Sequence, residues 1–234
     1  MFIMLDGIDG SGKSTIIETW KDYLASEGNT IFDLKNYWLK KGAYPTSAEL
    51  KTCDFIFSGE PTYAGVGKVI REELIKKGTN YSPRSIAEAY ALDRLVLYRK
   101  IILPALALGK CIIQDRGVST SLAYQPMNDP SLTPKILSSL EGNALALKYR
   151  PDHLVLLRVN PESAFKRIMA RTHKQDNVIF ERLNFQKKLA KLFASRGYAQ
   201  LFKKHGSQVH YLPANDKLAI IKSQAIVLLK KILI

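Results

Sequence analysis

Three groups of side chains in this chain have the types and spacing to do chemistry. The first is "GIDGSGKST", Gly7 to Thr15. The pattern Gly7-x-x-x-x-Gly12-Lys13-Ser14 is that of a phosphate-binding loop. Its glycines let the backbone wrap an anion, and Gly7, Asp9, Gly10, Ser11, Gly12 and Thr15 build the wrap around it. Lys13 is placed to reach the outer phosphates of a nucleotide, with its ammonium expected to face solvent. The Ser14 hydroxyl is placed to ligate Mg²⁺. The second group is Asp115-Arg116 in "DRGVSTSLAYQ". A carboxylate at the end of an apolar strand can organise Mg²⁺ and its waters beside such a loop. The adjacent guanidinium offers a planar fork of donors to a phosphate. The third is Tyr90 and Arg94 in "SPRSIAEAYALDRLVLYRK", four apart on one helix face. A ring and a donor fork one turn apart can stack on a base and bond its edge. Taken alone, that stretch reads more simply as a half-buried tyrosine and a solvated arginine.

These groups need elements to hold them. "FIML" before the loop reads as a buried strand, and "TIIETWKDYLASEG" after it as an amphipathic helix stopped at Gly28. Strand, loop and helix is the order the phosphate loop requires. Further strands are expected at 30–34, 54–57, 111–115, 153–159 and 209–212. Helices are expected at 66–77, 83–103, 161–171, 181–204 and 215–232. The alternation predicts an α/β fold, a parallel sheet covered by helices on both faces. Sites then collect at the carboxyl ends of the strands. Residues 35–53 have no clean period and read as an insertion near the substrate side.

Composition narrows the class. The 234 residues suit one domain over 1–234 with a substantial core. No long uncharged apolar run is present, so no membrane span is expected. No basic leader precedes the first strand, so no signal peptide is expected either. Cys53 and Cys111 lack metal-type spacing and read as reduced, packed thiols of a cytoplasmic protein. The net charge of +14 is uneven: residues 1–147 hold 17 Lys/Arg against 16 Asp/Glu, and residues 148–234 hold 18 against 5. The basic residues alternate with apolar ones at helical spacing, so a solvated helical surface is favoured over nucleic acid as the explanation.

"FIMLDGIDGSGKST", "EPTYAGVGKVIREEL", "YALDR", "DRGVSTSLAYQ" and "RIMARTHKQDNVIFE" together give the chain a resemblance to the thymidylate kinases, which phosphorylate dTMP with ATP. The resemblance implies a phosphate-loop nucleoside-monophosphate-kinase fold: a three-layer sandwich with a five-stranded parallel sheet and a short lid at about 167–181. It implies that Lys13, Ser14 and the loop backbone hold ATP phosphates and Mg²⁺, with Asp115 supporting the metal. It implies that Asp9 approaches the deoxyribose 3′-OH and acceptor phosphate, and that Arg71 and Arg116 grip the dTMP phosphate. Tyr90 would stack on the base, Arg94 reach thymine O4, Ser121 and Gln125 lie along the base edge, and Tyr124 crowd a ribose hydroxyl. A homodimer is implied as well. The loop interior holds no arginine, so the cation on the transferring group is expected from the lid: Arg171, then Arg167 and Lys174. The chain departs from the family where "REPGGT" becomes Gly59-Glu60-Pro61-Thr62-Tyr63-Ala64, and where Gly117 replaces a frequent aromatic residue. The alternatives are a related kinase for dUMP or a deoxynucleoside, or a non-catalytic nucleotide-binding protein.

Overall fold

A computed structural model of the chain describes residues 1–170 and 183–234. Six parallel strands form one sheet: β1 (Phe2–Asp6), β2 (Ile31–Asp33), β3 (Phe55–Gly59), β4 (Cys111–Asp115), β5 (His153–Arg158) and β6 (Gln208–Pro213). Their order across the sheet is β2-β3-β4-β1-β5-β6. The central strand β1 pairs with β4 and β5, Leu5 lying opposite Asp115 and Val155. Every strand segment expected from the sequence is present, but the sheet has six strands rather than the five implied by the resemblance. At one edge lies β2, which directly precedes residues 35–53 and, among the described residues, pairs with β3 alone.

Thirteen α-helices are seen among the described residues. They are α1 (Lys13–Ser26), α2 (Leu34–Lys41), α3 (Ser47–Lys51), α4 (Gly65–Val69), α5 (Pro83–Leu97), α6 (Leu103–Ala107), α7 (Val118–Asn128), α8 (Pro134–Ser139), α9 (Glu141–Lys148), α10 (Pro161–Met169), α11 (Leu183–Phe193), α12 (Arg196–Lys203) and α13 (Leu218–Leu233). The segment expected as one helix over 83–103 runs as α5, a π-helical turn at Tyr98–Ile102, and α6. Pro104 supplies the reason: it has no N–H for the helical ladder, and a wider turn absorbs the gap. The segment expected at 181–204 is broken between α11 and α12, where the Ser195 side chain accepts from the Tyr198 N–H and starts a new helix.

The aperiodic segment 35–53 is ordered by its caps rather than by a long apolar stripe. Asp33 accepts from the Asn36 N–H at the start of α2, and Gly42, in the left-handed region, ends it. Thr46 and Glu49 form a reciprocal capping box on α3. Leu34, Trp38 and Leu50 are buried beneath these two short helices, joining the core of β1, β3, β4 and β5.

No helix among the described residues is long and apolar enough to cross a membrane.

Candidate functional site

The phosphate loop leaves β1 at Asp6. The Asp6 carboxylate accepts from the Gly7 N–H at 2.7 Å and from Thr120 at 2.8 Å, and also from Ser119. Loop and α7 are thereby tied together at the carboxyl end of the sheet. Gly10 packs so closely on α10 that a Cβ there would lie 2.2 Å from the Ala164 carbonyl oxygen. With φ at +74°, that position suits glycine on both steric and conformational grounds.

Lys13 corrects the sequence expectation of a solvent-facing ammonium. It is buried, and its Nζ donates to the Gly7 and Ile8 carbonyls, both at 2.9 Å. Burial, with Arg116 nearby, lowers its pKa to about 8 in spite of Asp9, Asp115 and Asp6. The side chain therefore braces its own loop as well as carrying charge.

A cleft of about 310 Å³ opens from this loop across the ends of β3 and β4 toward α5 and α7. Fourteen of the residues singled out from the sequence line it: Asp9, Gly10, Gly12, Lys13, Ser14, Thr15, Arg71, Tyr90, Arg94, Asp115, Arg116, Ser121, Tyr124 and Gln125. Gly7 and Ser11 lie outside the lining, buried within the turn. Arg167 also lies outside it and donates to the Ala214 carbonyl at 3.1 Å. Arg171 and Lys174 fall outside the described residues.

Arg116 has the only positive φ outside glycine among the described residues, 66°. A guanidinium held by such backbone is aimed rather than free. It pairs with Asp9 and lies 3.6 Å from Asp6. Asp9 also accepts from Tyr124 at 3.2 Å and from Gln186 at 3.1 Å, while the Asp9 N–H donates to Gln186 at 3.0 Å. Burial would raise the Asp9 carboxyl, but Arg116, Lys13 and those hydrogen bonds outweigh it and hold it below the usual range. Gly117 follows in extended backbone; Met4 fills the space beside it, with its methyl 2.4 Å from where a Cβ would stand. A larger residue there would have to displace that core methionine.

Arg94 is not the solvated arginine of the simpler reading. It is 1% exposed and held by Glu60 at 2.5 Å, Ser121 at 3.0 Å and Asn143. Glu60 in turn accepts from Gln114 at 3.1 Å. Burial pushes the Glu60 carboxyl up to about 7 against the pull of Arg94. Several polar atoms here are buried without a partner among the described residues, Ser58 Oγ and Gln114 Oε1 among them; on the cleft side of α5 and α7 they are Arg94 Nε, a donor, and Gln125 Oε1, an acceptor. Gln125 donates through its amide nitrogen to Ser121 at 3.3 Å, which sets the amide orientation. Tyr90 lines the same pocket, its hydroxyl pushed up to about 12 by burial and so neutral.

The altered Gly59–Ala64 loop is also built into the site. Asp93 accepts from the Thr62 N–H at 2.8 Å and the Thr62 hydroxyl at 2.6 Å. The loop's Pro61 and Thr62 carbonyls receive Arg71 Nε at 2.9 and 3.2 Å. Arg71 lies on the Tyr63 ring, its guanidinium carbon 3.9 Å from the centroid. Asp93, Asn143 and Gln186 are structural members of the site that the sequence analysis did not name, and Glu60 was named there only as part of the altered loop, with no role. Each is a lone polar residue whose partner lies far along the chain, so no local spacing marks it.

Asp115 Oδ1 is buried without a hydrogen-bond partner, and the Ser14 hydroxyl stands exposed at the cleft. One carboxylate oxygen and one hydroxyl would suit Mg²⁺, a hard cation that takes oxygen ligands. No cluster of three or more acidic, histidine or cysteine ligands is found among the described residues.

A family model for thymidylate kinase matches residues 47–225. A thymidylate kinase from Thermoanaerobacter sp. (strain X514) is 27% identical over 232 residues, covering 99% of this chain and 98% of that protein. One from Kosmotoga olearia is 26% identical over 226 residues, covering 97% and 93%. A probable thymidylate kinase from Thermococcus onnurineus is 33% identical over 183 residues, 75% of each chain. The alignment to the first of these spans nearly the whole chain, phosphate loop included, so the chain belongs to the thymidylate kinase family.

Proposed function

We propose that the protein transfers the γ-phosphate of ATP to dTMP, giving dTDP and ADP. One observation carries the reading. A single cleft joins a phosphate loop to a pocket between α5 and α7 whose unpaired buried atoms include a donor, Arg94 Nε, and an acceptor, Gln125 Oε1. Thymine and uracil present the complement along one edge, a carbonyl at position 4 and an N–H at position 3. Cytosine presents an amino group and a bare ring nitrogen there, so each would face its own kind.

Phosphoryl transfer asks the protein for position and charge rather than covalent chemistry. Lys13, the loop backbone and the start of α1 bind the ATP phosphates. Ser14 and Asp115 would hold Mg²⁺, which neutralises charge on the nucleotide phosphates when bound. Arg116, locked by Asp9 and its backbone, and Arg71, locked on the loop carbonyls, bind the acceptor phosphate. Tyr90 gives the base a stacking face, and Tyr124 stands beside Asp9 near the sugar. Arg171 is our choice for the lid cation. The contact of Arg167 with Ala214 supports that preference, since it directs Arg167 away from the cleft. An incubation with ATP, Mg²⁺ and dTMP, with the nucleotides separated by chromatography, tests the reading. Equimolar ADP and dTDP are expected, with no transfer to thymidine. Turnover of thymidine with none of dTMP would replace it by a deoxynucleoside kinase.

A further inference from the structure

We propose that Lys35, on α2 of the inserted segment, is an anion-binding side chain that acts beside Arg71 on the phosphate of the acceptor nucleotide. This rests on the functional reading above and assigns a role to a segment that reading left without one.

The placement comes first. α2 leaves β2 at the carboxyl end of the sheet, the end that carries the phosphate loop. Its first turn is fixed twice over: Asp33 caps it, and the same carboxylate takes Lys21 of α1 at 2.6 Å. Its inner face is anchored by the buried Leu34 and Trp38. Trp38 meets the Tyr44 ring edge-on at 6.0 Å, and Tyr44 reaches the Thr62 hydroxyl at 3.3 Å. The helix is thus packed against the very loop that holds Arg71. From it Lys35 lines the cleft, with its ammonium 5.4 Å from the Tyr63 centroid, the same ring on which Arg71 lies at 3.9 Å.

Charge balance gives the ligand class. Several cations of this cleft are already compensated: Lys21 by Glu18 and Asp33, Arg94 by Glu60, Arg116 by Asp9. Among the described residues, Arg71 and Lys35 have no carboxylate within ion-pair distance. Arg71 is bonded only to carbonyls there, and the loop Gly59–Ala64 contains no basic residue of its own. A phosphate monoester carries about −1.5 to −2 at pH 7. Two uncompensated cations sharing one ring match that charge, whereas a nucleoside without a phosphate gains nothing from them. Lysine suits the task as a mobile point charge, leaving the planar fork to Arg71.

The test is calorimetric titration of dTMP and, separately, thymidine into the full-length wild type, Lys35→Ala and Lys35→Arg, with dTMP kinetics alongside. Lys35 is exposed and alanine suits a helix, so the fold should survive; matching thermal melts would verify it. The expected result for Lys35→Ala is a loss of about tenfold in dTMP affinity and a similar rise in KM. Its kcat and its thymidine affinity should stay within about twofold of wild type, and Lys35→Arg should recover most of the dTMP binding. Unchanged dTMP affinity in Lys35→Ala, or an equal loss for thymidine, overturns the assignment. A wild-type protein that binds no dTMP overturns the functional reading itself and this assignment with it. That outcome is visible before any variant is compared.

Discussion

Glu60→Ala removes the carboxylate that compensates a guanidinium buried to 1% exposure. Asn143 and Ser121 remain on Arg94, but both are neutral. Breaking a buried pair from one side costs about 3–5 kcal/mol, because the surviving charge stays desolvated and uncompensated. The two retained hydrogen bonds argue for the lower end, about 3 kcal/mol. In a chain of this size that lowers Tm by about 6–12 °C. It is also a large share of a total stability of about 5–15 kcal/mol. Urea unfolding at pH 8, above the Glu60 pKa of about 7, measures it with the carboxylate ionised. Arg94→Met removes the charge while filling much of the volume. The double variant should then be more stable than the sum of the single losses implies, with a coupling of at least about 1.5 kcal/mol. Both variants holding Glu60→Ala should show a raised KM for dTMP, since Arg94 is either unmoored or absent. A Glu60→Ala protein within about 0.5 kcal/mol of wild type, or additive losses in the cycle, would refute the claim that Glu60 holds Arg94 in place.

Other consequences concern the two ends of the phosphate path. Lys13→Ala should abolish transfer and also cost about 1–2 kcal/mol of stability, since the Gly7 and Ile8 carbonyls lose their donor; full stability in urea would contradict the bracing role. The Lys13 pKa is depressed in the folded state to about 8, so between about pH 8 and the unfolded value the unfolded chain binds more protons. Stability should therefore rise with pH across that window in wild type, and the rise should be smaller in Lys13→Met. ATP binding should restore the charge, so calorimetry at pH 8.5 in buffers of different ionisation enthalpy should show proton uptake; no buffer dependence would count against it. If Arg171 is the lid cation, Arg171→Ala should lower kcat far more than it changes either KM, because the proposed contact would form mainly in the transition state; an unaltered kcat would move the role to Lys174 or Arg167.

What could be read in the sequence was what local spacing encodes. "FIML" and "CIIQD" are unbroken apolar runs between turn residues, so their strands and the carboxylate at the end of β4 were visible in advance. The phosphate loop was visible for the same reason. The six strands could be read one by one, "TIFDL" at the sheet edge included; the count of five came from the family pattern alone, and the sheet corrects it. Residues 35–53 showed no period because short helices need none. Their signal lay in the Thr46–Glu49 capping box and the Asp33 cap, which mark starts without an apolar stripe. The break at Ser195 was hidden because apolar spacing continues through it. The pairings of Glu60 and Asp93 escaped for another reason. Glu60 meets Arg94 34 residues away and Asp93 meets Thr62 31 residues away, pairings that only the sheet order creates.

The most direct test of the whole account is the ratio of kcat/KM for dTMP to that for dCMP. Arg94 Nε and Gln125 Oε1 are a donor and an acceptor waiting in a buried pocket. Cytosine would leave both facing like groups, at about 1–3 kcal/mol each, which is about thirtyfold at the low end of the combined cost. The methyl that separates dTMP from dUMP is worth only about 1 kcal/mol, so dUMP should fall between them. The account predicts dTMP above dCMP by at least that thirtyfold. A dCMP value equal to or above that of dTMP contradicts it, and with it the roles given to Tyr90, Arg94 and Gln125.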